Sequence, residues 1–252
     1  MQDLRQRVEI SVVLPCFNEE ACVAELTDEI HGVLTRVGRP YEVIYVNDAS
    51  TDGTLAVLRK LQSGRPWLRV IEHSVNSGES ASTSTGFRHA RGDVVFTMDS
   101  DQQNDPADIP RFLAALEGVD CVCGVRRRRA DGDNLVRRMS SKIGNGWRNA
   151  VTGVRVSDAG CTYRAIRRDA TLDLPAFNGM HRFLPTLLTF QGFKFTEIEV
   201  NHRPRTTGVS KYGIGNRLWR GLADCFAMRW WRKRAVAGRR VRPETPPPGP
   251  AA

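Results

Sequence analysis

The sequence predicts an α/β protein with a mostly parallel central sheet flanked by helices, followed by a C-terminal amphipathic helix. Three observations carry this. Short β-branched apolar runs alternate with segments of helical period along the first hundred residues. Three of the first four strand-like runs stop at acidic or amide side chains: Asn18 and Glu19, Asn47 and Asp48, Asp99 and Asp101. Near the end, Leu218, Leu222, Phe226 and Trp230 recur at steps of four among arginines.

The elements follow in order. Val8 to Leu14 is a strand that ends at Pro15-Cys16-Phe17-Asn18-Glu19. Val23, Leu26, Ile30, Val33, Leu34 and Val37 then mark a helix, closed by Gly38. Tyr41 to Val46 is the second strand, followed by a helix carrying Leu55, Leu58 and Leu61. Leu68 to Ile71 is the third, and the polar stretch Asn76–Phe87 supplies a loop and a helix. The fourth strand, Val94-Val95-Phe96-Thr97, runs straight into Asp99-Ser100-Asp101. Pro106 reads as an early helix residue with Asp105 as its cap.

Asp120 to Val125 is the fifth strand, Leu135 to Val151 a basic helix, and Ser157–Ile166 a loop and strand. Asn178–Pro185 leads into another apolar helix, and Phe193 to Val200 alternates as a last strand. A basic loop, His202–Tyr212, precedes the C-terminal helix. Residues 1–212 form the main domain in this reading, 213–234 the Trp/Arg helix, and 235–252 a Pro-rich disordered tail.

Composition bounds the function. Of 252 residues, 40% are hydrophobic and 26% charged, enough apolar content for a real core. A net charge of +9 points to an anionic partner: nucleic acid, phosphorylated ligands or an anionic membrane. The six cysteines form no Cys-x-x-Cys pair, which fits a reducing cytosol, with Cys121 and Cys123 as small hydrophobes. The charged start Met1–Arg7 leads directly into a strand, so no secretory leader is expected. No apolar run is long enough to span a membrane.

In an open α/β sheet, ligands bind at the carboxyl ends of the strands. Asp99 and Asp101 lie there, with Gln103 two residues on, and hard oxygens in that place suit Mg²⁺ or Mn²⁺ shared with substrate phosphates. An isolated Asp-x-Asp is more often a solvated turn, but acidic or amide residues past three strand ends describe a polar ligand cleft. No G-x-G-x-x-G follows the first strand, which argues against a dinucleotide site.

Several segments together resemble a known family. They are Pro15-x-x-Asn18-Glu19, Val46-Asn47-Asp48-x-Ser50-x-Asp52-Gly53-Thr54, Ala90-Arg91-Gly92-Asp93 and Asp99-x-Asp101-x-Gln103. Their order and spacing resemble family 2 glycosyltransferases of the Rossmann-like GT-A fold. Asp158-x-Gly160 followed by Arg164, and Arg205-x-x-Gly208-x-Ser210-Lys211-Tyr212, resemble the polyprenol-phosphate branch, which includes dolichol-phosphate mannose synthase. The likeness runs from about Val8 to Arg234.

It implies that Pro15, Phe17, Glu19, Val46 and Asp48 hold the nucleoside of a UDP- or GDP-sugar. It places Asp99, Ser100, Asp101 and Gln103 at the metal and diphosphate. Arg126, Arg137 and Ser141 would receive a polyprenyl (undecaprenyl) phosphate, and Arg205 and Lys211 would close over the phosphates. Asp101, Arg126, Arg205 and Lys211 are then the catalytic set. The implied setting is the cytoplasmic face of the cytoplasmic membrane, where the Trp/Arg helix meets an anionic surface. Glu79 stands where many relatives have Gln, and Ser82-Thr83-Ser84-Thr85 is unusually polar.

Two rivals remain at this point. One is a family 2 transferase acting on a sugar hydroxyl, which needs a carboxylate base. The other is a basic nucleic-acid-binding protein, for which the chain shows no recognised motif.

Overall fold

The computed structural model describes residues 7–126, 135–204 and 215–234, and for 135–142, 215–220 and 222 the backbone alone. Strands β1 (Ile10–Cys16), β2 (Tyr41–Asn47), β3 (Leu68–Glu72) and β4 (Val94–Thr97) alternate with helices α1 (Val23–Val37), α2 (Thr54–Gln62) and α3 (Glu79–His89). Then come α4 (Ile109–Ala115), β5 (Cys121–Val125), α5 (Leu135–Thr152), β6 (Arg164–Arg167), α6 (Leu184–Phe190), β7 (Phe195–Glu199) and α7 (Gly215–Arg234). Asp105 caps the turn before α4 as expected: its Oδ1 accepts from the Ala107 N–H at 3.0 Å.

The described strands join one seven-stranded sheet in the order β3-β2-β1-β4-β6-β5-β7. The pairings are parallel except those of β6, which runs antiparallel between β4 and β5. From β1 the chain moves outward to β2 and β3, then returns to β4 on the other side. The boundary between β1 and β4 is therefore a topological switch point, where an α/β sheet opens a crevice for ligands.

Two cores explain the continuous apolar strands. Val12, Leu14, Val43 and Tyr45 face α1, α2 and α4 through residues such as Leu26, Ile30, Leu58 and Phe112. Val13, Ile44 and Val46 face the other way, against Phe87, Met180, Leu184 and Leu187. Gly86 lets α3 lie on β1, since a Cβ there would sit 2.1 Å from Val13 Cγ1. Cys121 and Cys123 are buried in this second core, their sulfurs 3.6 Å apart.

Helix α7 has a buried side and an exposed one. Cys225 and Met228 are the buried side, set into the second core, while Phe226 and Trp230 are exposed. No helix among the described residues is long and apolar enough to cross a membrane. The expected tail, 235–252, lies outside the described residues.

Candidate active site

The carboxyl ends of β1, β2 and β4 are conformationally unusual. Asn18, Ala49 and Gln102 are the non-glycine residues with positive φ among the described residues, at 56°, 55° and 62°. Each follows one of these three strands. A left-handed residue with a Cβ costs about 1 kcal/mol, and such strain concentrates where a fold presents groups to a ligand.

The two sides of the switch point are tied together. Ser100 Oγ donates to the Pro15 carbonyl at 2.7 Å, so the residue between the two aspartates is locked onto the end of β1. Asp99 and Asp101 emerge from this anchored point. The Asp99 N–H donates to Asn104 Oδ1 at 2.9 Å, and Asp101 Oδ1 accepts from the Gln103 N–H at 3.1 Å. The chain leaving β7 braces the same loop. The Arg203 N–H donates to the Gln103 carbonyl at 2.9 Å, and its guanidinium pairs with Glu29 and Asp105, each at 2.8 Å.

The carboxylates carry an electrostatic cost. Burial, then the neighbouring charge of Asp101, pushes the Asp99 carboxyl up to about 6. A hydrogen bond from Thr162 Oγ1 at 2.7 Å and the charge of Arg126 act the other way. Two close carboxylates of one sign, with the amide oxygen of Gln103 beside them in sequence, offer a hard-oxygen donor set whose mutual repulsion the nearby arginines offset only in part. A divalent ion such as Mg²⁺ or Mn²⁺ fits this chemistry and relieves the repulsion.

Arg126 lies at the end of β5, and its guanidinium grips Asp158 with Nε–Oδ2 at 2.8 Å and Nη2–Oδ1 at 2.9 Å. Burial disfavours its charge, but Asp158 outweighs burial and holds the guanidinium above its ordinary range. Gly160 makes room, since a Cβ there would meet Arg126 Nη2 at 2.9 Å. This fixed cation opposes the carboxylates across the same edge and counts among the charges acting on Asp99.

The other sequence-derived positions divide. Pro15, Phe17 and Glu19 are half-buried at the β1 end, and the Glu19 N–H donates to Thr54 Oγ1 at 2.9 Å. The side chain of Val46 is fully buried in the core, so it offers a ligand only its backbone. Asp48 is buried and committed internally: it accepts from the N–H groups of Ser77 at 2.9 Å and Gly78 at 2.7 Å, and meets His73 Nδ1 at 2.7 Å. It clasps the turn that opens α3. Arg137 and Ser141 fall on α5 where only the backbone is described, and Arg205 and Lys211 lie outside the described residues.

The sequence singled out Glu79 without its partners; the structure places it in a second polar layer behind the aspartates. Glu79, the first residue of α3, lies 3.5 Å from His181 Nε2. His181 Nδ1 meets Ser80 Oγ at 2.8 Å, and Arg182 Nε approaches the His181 ring at 3.3 Å. Burial, then the charge of Asp99, raises the Glu79 carboxyl well above the usual carboxylate range. Arg164 is 1% exposed, and its Nε has no hydrogen-bond partner among the described residues.

With this geometry established, likeness to known proteins narrows the chemistry. Residues 11–174 match the model of Glycosyl transferase family 2. The chain is 35% identical over 234 residues to a dodecaprenyl-phosphate galacturonate synthase from Rhizobium johnstonii, covering 90% of this chain and 68% of that protein. It is 36% identical over 234 residues to an undecaprenyl-phosphate 4-deoxy-4-formamido-L-arabinose transferase from Aeromonas hydrophila, covering 91% and 71%.

Among solved structures, glucosyl-3-phosphoglycerate synthase from Mycobacterium tuberculosis, in complex with Mn²⁺, uridine diphosphate and glucosyl-3-phosphoglycerate, superposes with a TM-score of 0.63. Identity is 22%, with 92% of this chain and 82% of that one covered. A mannosyltransferase from Pyrobaculum calidifontis, with GDP-mannose and Mn²⁺, gives 0.61 at 21% identity, covering 93% and 67%. At these identities the structural likeness establishes the GT-A fold.

Proposed function

The chain belongs to glycosyl transferase family 2, and from that premise we propose that it moves a sugar from a nucleotide-sugar donor to a polyprenyl phosphate, making a lipid-phosphate sugar. The observation that carries this is the opposition, on one sheet edge, of the Asp99–Asp101 carboxylates and the Arg126 cation locked by Asp158. Such an edge can hold a metal-bound diphosphate and a second anion together. The two relatives, both named for prenyl-phosphate products, support the acceptor class.

In this reading Asp99, Asp101 and Gln103 hold Mg²⁺ or Mn²⁺. When bound, the ion neutralises charge that develops on the departing diphosphate. Pro15, Phe17, Glu19, Val46 and Asp48 shape the nucleoside end, Val46 by its backbone and Asp48 through the turn it clasps. Ser100 fixes the position of the two ligating aspartates. Arg126, with Arg137 and Ser141, receives the acceptor phosphate, and Arg205 and Lys211 cover the phosphates. The nucleophile is a phosphate monoester oxygen, ionised at neutral pH because its second pKa is about 6. No side chain needs to remove a proton. The work of the protein is to hold two anions in line.

A lipid acceptor also calls for a membrane face, and the proposal includes peripheral binding at the inner surface of the cytoplasmic membrane. Supporting it, Ile143 and Trp147 of α5 and Phe226 and Trp230 of α7 are exposed, 46–69%. Trp147 and Phe226 form an edge-on ring pair across the two helices, at 6.4 Å. Arg229, Arg232 and Lys233 line an adjoining groove with Val151. Exposed aromatics beside clustered cations suit an anionic lipid interface.

The test offers detergent-solubilised undecaprenyl phosphate and an oligosaccharide acceptor in competition, with a panel of UDP- and GDP-sugars. Label in the lipid supports the proposal. Label in the oligosaccharide alone moves the reaction to a sugar-hydroxyl acceptor.

A further inference from the structure

Beside Asp99 the fold forms a small half-open cavity of about 10 Å³, lined by Glu79, Thr83, Asp99, Thr162, Arg164 and His181 among others. That volume admits one water-sized group and excludes a sugar ring. Its lining is chemically unfinished. Arg164 is buried, and its Nε–H has no acceptor among the described residues. Glu79 faces it from the first turn of α3, held by His181, which is itself fixed by Ser80. Ser80 also accepts from the Gly179 N–H at 3.0 Å, so the two segments that carry Glu79 and His181 are fastened together.

A hydroxyl is the group that such a pocket suits, because it donates one hydrogen bond and accepts another. Asp99 belongs both to the ligating pair and to the cavity wall, so a diphosphate held at the aspartates brings its sugar to the cavity mouth. Resting on the donor reading above, we propose that this cavity receives one hydroxyl of the donor sugar, and that Glu79, with Arg164 opposite, sets which sugar is accepted. The hydroxyl donates to a Glu79 carboxyl oxygen and accepts from Arg164 Nε–H. A sugar with that hydroxyl absent or inverted leaves both groups buried and unmatched, which is the strongest form of discrimination a binding site achieves.

The experiment is calorimetric titration with Mg²⁺ in excess, using UDP, GDP and a panel of their sugar conjugates on the wild type, Glu79→Gln and Glu79→Ala. Thermal melts check folding. The quantity read is the ratio of affinities, sugar nucleotide over free nucleotide. The expected result is a preferred conjugate whose advantage falls about 10- to 100-fold in Glu79→Ala, the loss expected when a buried hydrogen-bonding group is left without its partner. Glu79→Gln retains part of the advantage, and affinity for the free nucleotide stays within about twofold.

An unchanged ratio in Glu79→Ala overturns the proposal, as does an equal fall for free and conjugated nucleotide. Free nucleotide binding with no advantage for any conjugate in the wild type also overturns it, while leaving the nucleotide site standing. Failure to bind UDP or GDP at all overturns the donor reading itself. If Glu79→Ala does not fold, the same ratio is read on Glu79→Gln, where no change is the overturning result.

Discussion

Arg126 and Asp158, 32 residues apart, are joined by two parallel hydrogen bonds, at 2.8 and 2.9 Å, at the mouth of the carboxylate edge. Both side chains are largely buried, at 19% and 7% exposure. Removing one partner strands the other charge, which costs about 3 kcal/mol or more in such settings. Asp158→Ala is therefore expected to lower the unfolding free energy by that order. It should also raise the KM for the lipid acceptor more than that for the donor. Urea unfolding and two-substrate kinetics check both parts, and equal KM effects would remove Arg126 from the acceptor side.

Asp48 was legible as an acidic strand end, but its contacts show a clasp. Asp48→Ala releases the backbone N–H groups of Ser77 and Gly78, immediately before Glu79. The expected result is a loss of about 1–3 kcal/mol of stability, with weaker nucleotide binding as the α3 turn loosens. Hydrogen exchange at Ser77 and Gly78 reads this directly. Unchanged protection there would show that the clasp is dispensable.

The pH dependence follows from Asp99. Its carboxyl is held at about 6, above the ordinary value of about 3.9. The folded protein therefore keeps this proton more tightly than the unfolded chain. Without metal, this contribution favours folding at low pH and is lost as pH rises through about 6. Divalent ions compete for the same oxygens and need the ionised form. Added Mg²⁺ should raise Tm clearly at pH 7.5 and progressively less below pH 6. A Mg²⁺ shift that is constant with pH would exclude Asp99 as a ligand.

The split of α7 predicts separable roles. Substituting Trp147, Phe226 and Trp230 together by serine removes exposed rings and leaves Cys225 and Met228 in the core. Flotation with anionic vesicles should fall about tenfold or more, while transfer to a short-chain soluble prenyl phosphate persists. Wild-type flotation should weaken with added salt. Concentration-dependent self-association of the wild type, lost in the variant without any vesicle effect, would assign this face to a second copy of the chain.

What the sequence disclosed was governed by locality. Asp99 and Asp101 were legible because an apolar run stops at them, and Asp105 because a cap acts two residues away. The alternation of strands and helices was legible because each core face imprints its own period. The antiparallel sense of β6 was not, since four residues, two of them arginine, carry no mark of direction. Glu79 was noticed only as a departure from its relatives' usual Gln. Its significance depends on His181, whose neighbour Ser80 is 101 residues away in the chain. On α7 Phe226 and Trp230 of the apolar stripe are exposed, while the smaller Cys225 and Met228, outside that stripe, pack into the core, a division that burial alone decides.

The most direct test of the central claim is mass spectrometry of the lipid fraction. Purified protein, undecaprenyl phosphate in detergent, Mg²⁺ or Mn²⁺ and a panel of nucleotide sugars are incubated beside an EDTA control and Asp101→Ala. The expected product is a lipid-phosphate sugar from one donor, abolished by EDTA and reduced at least about 1000-fold in the variant, as for loss of a dominant electrostatic contact. Undiminished product from Asp101→Ala, or in EDTA, would contradict it.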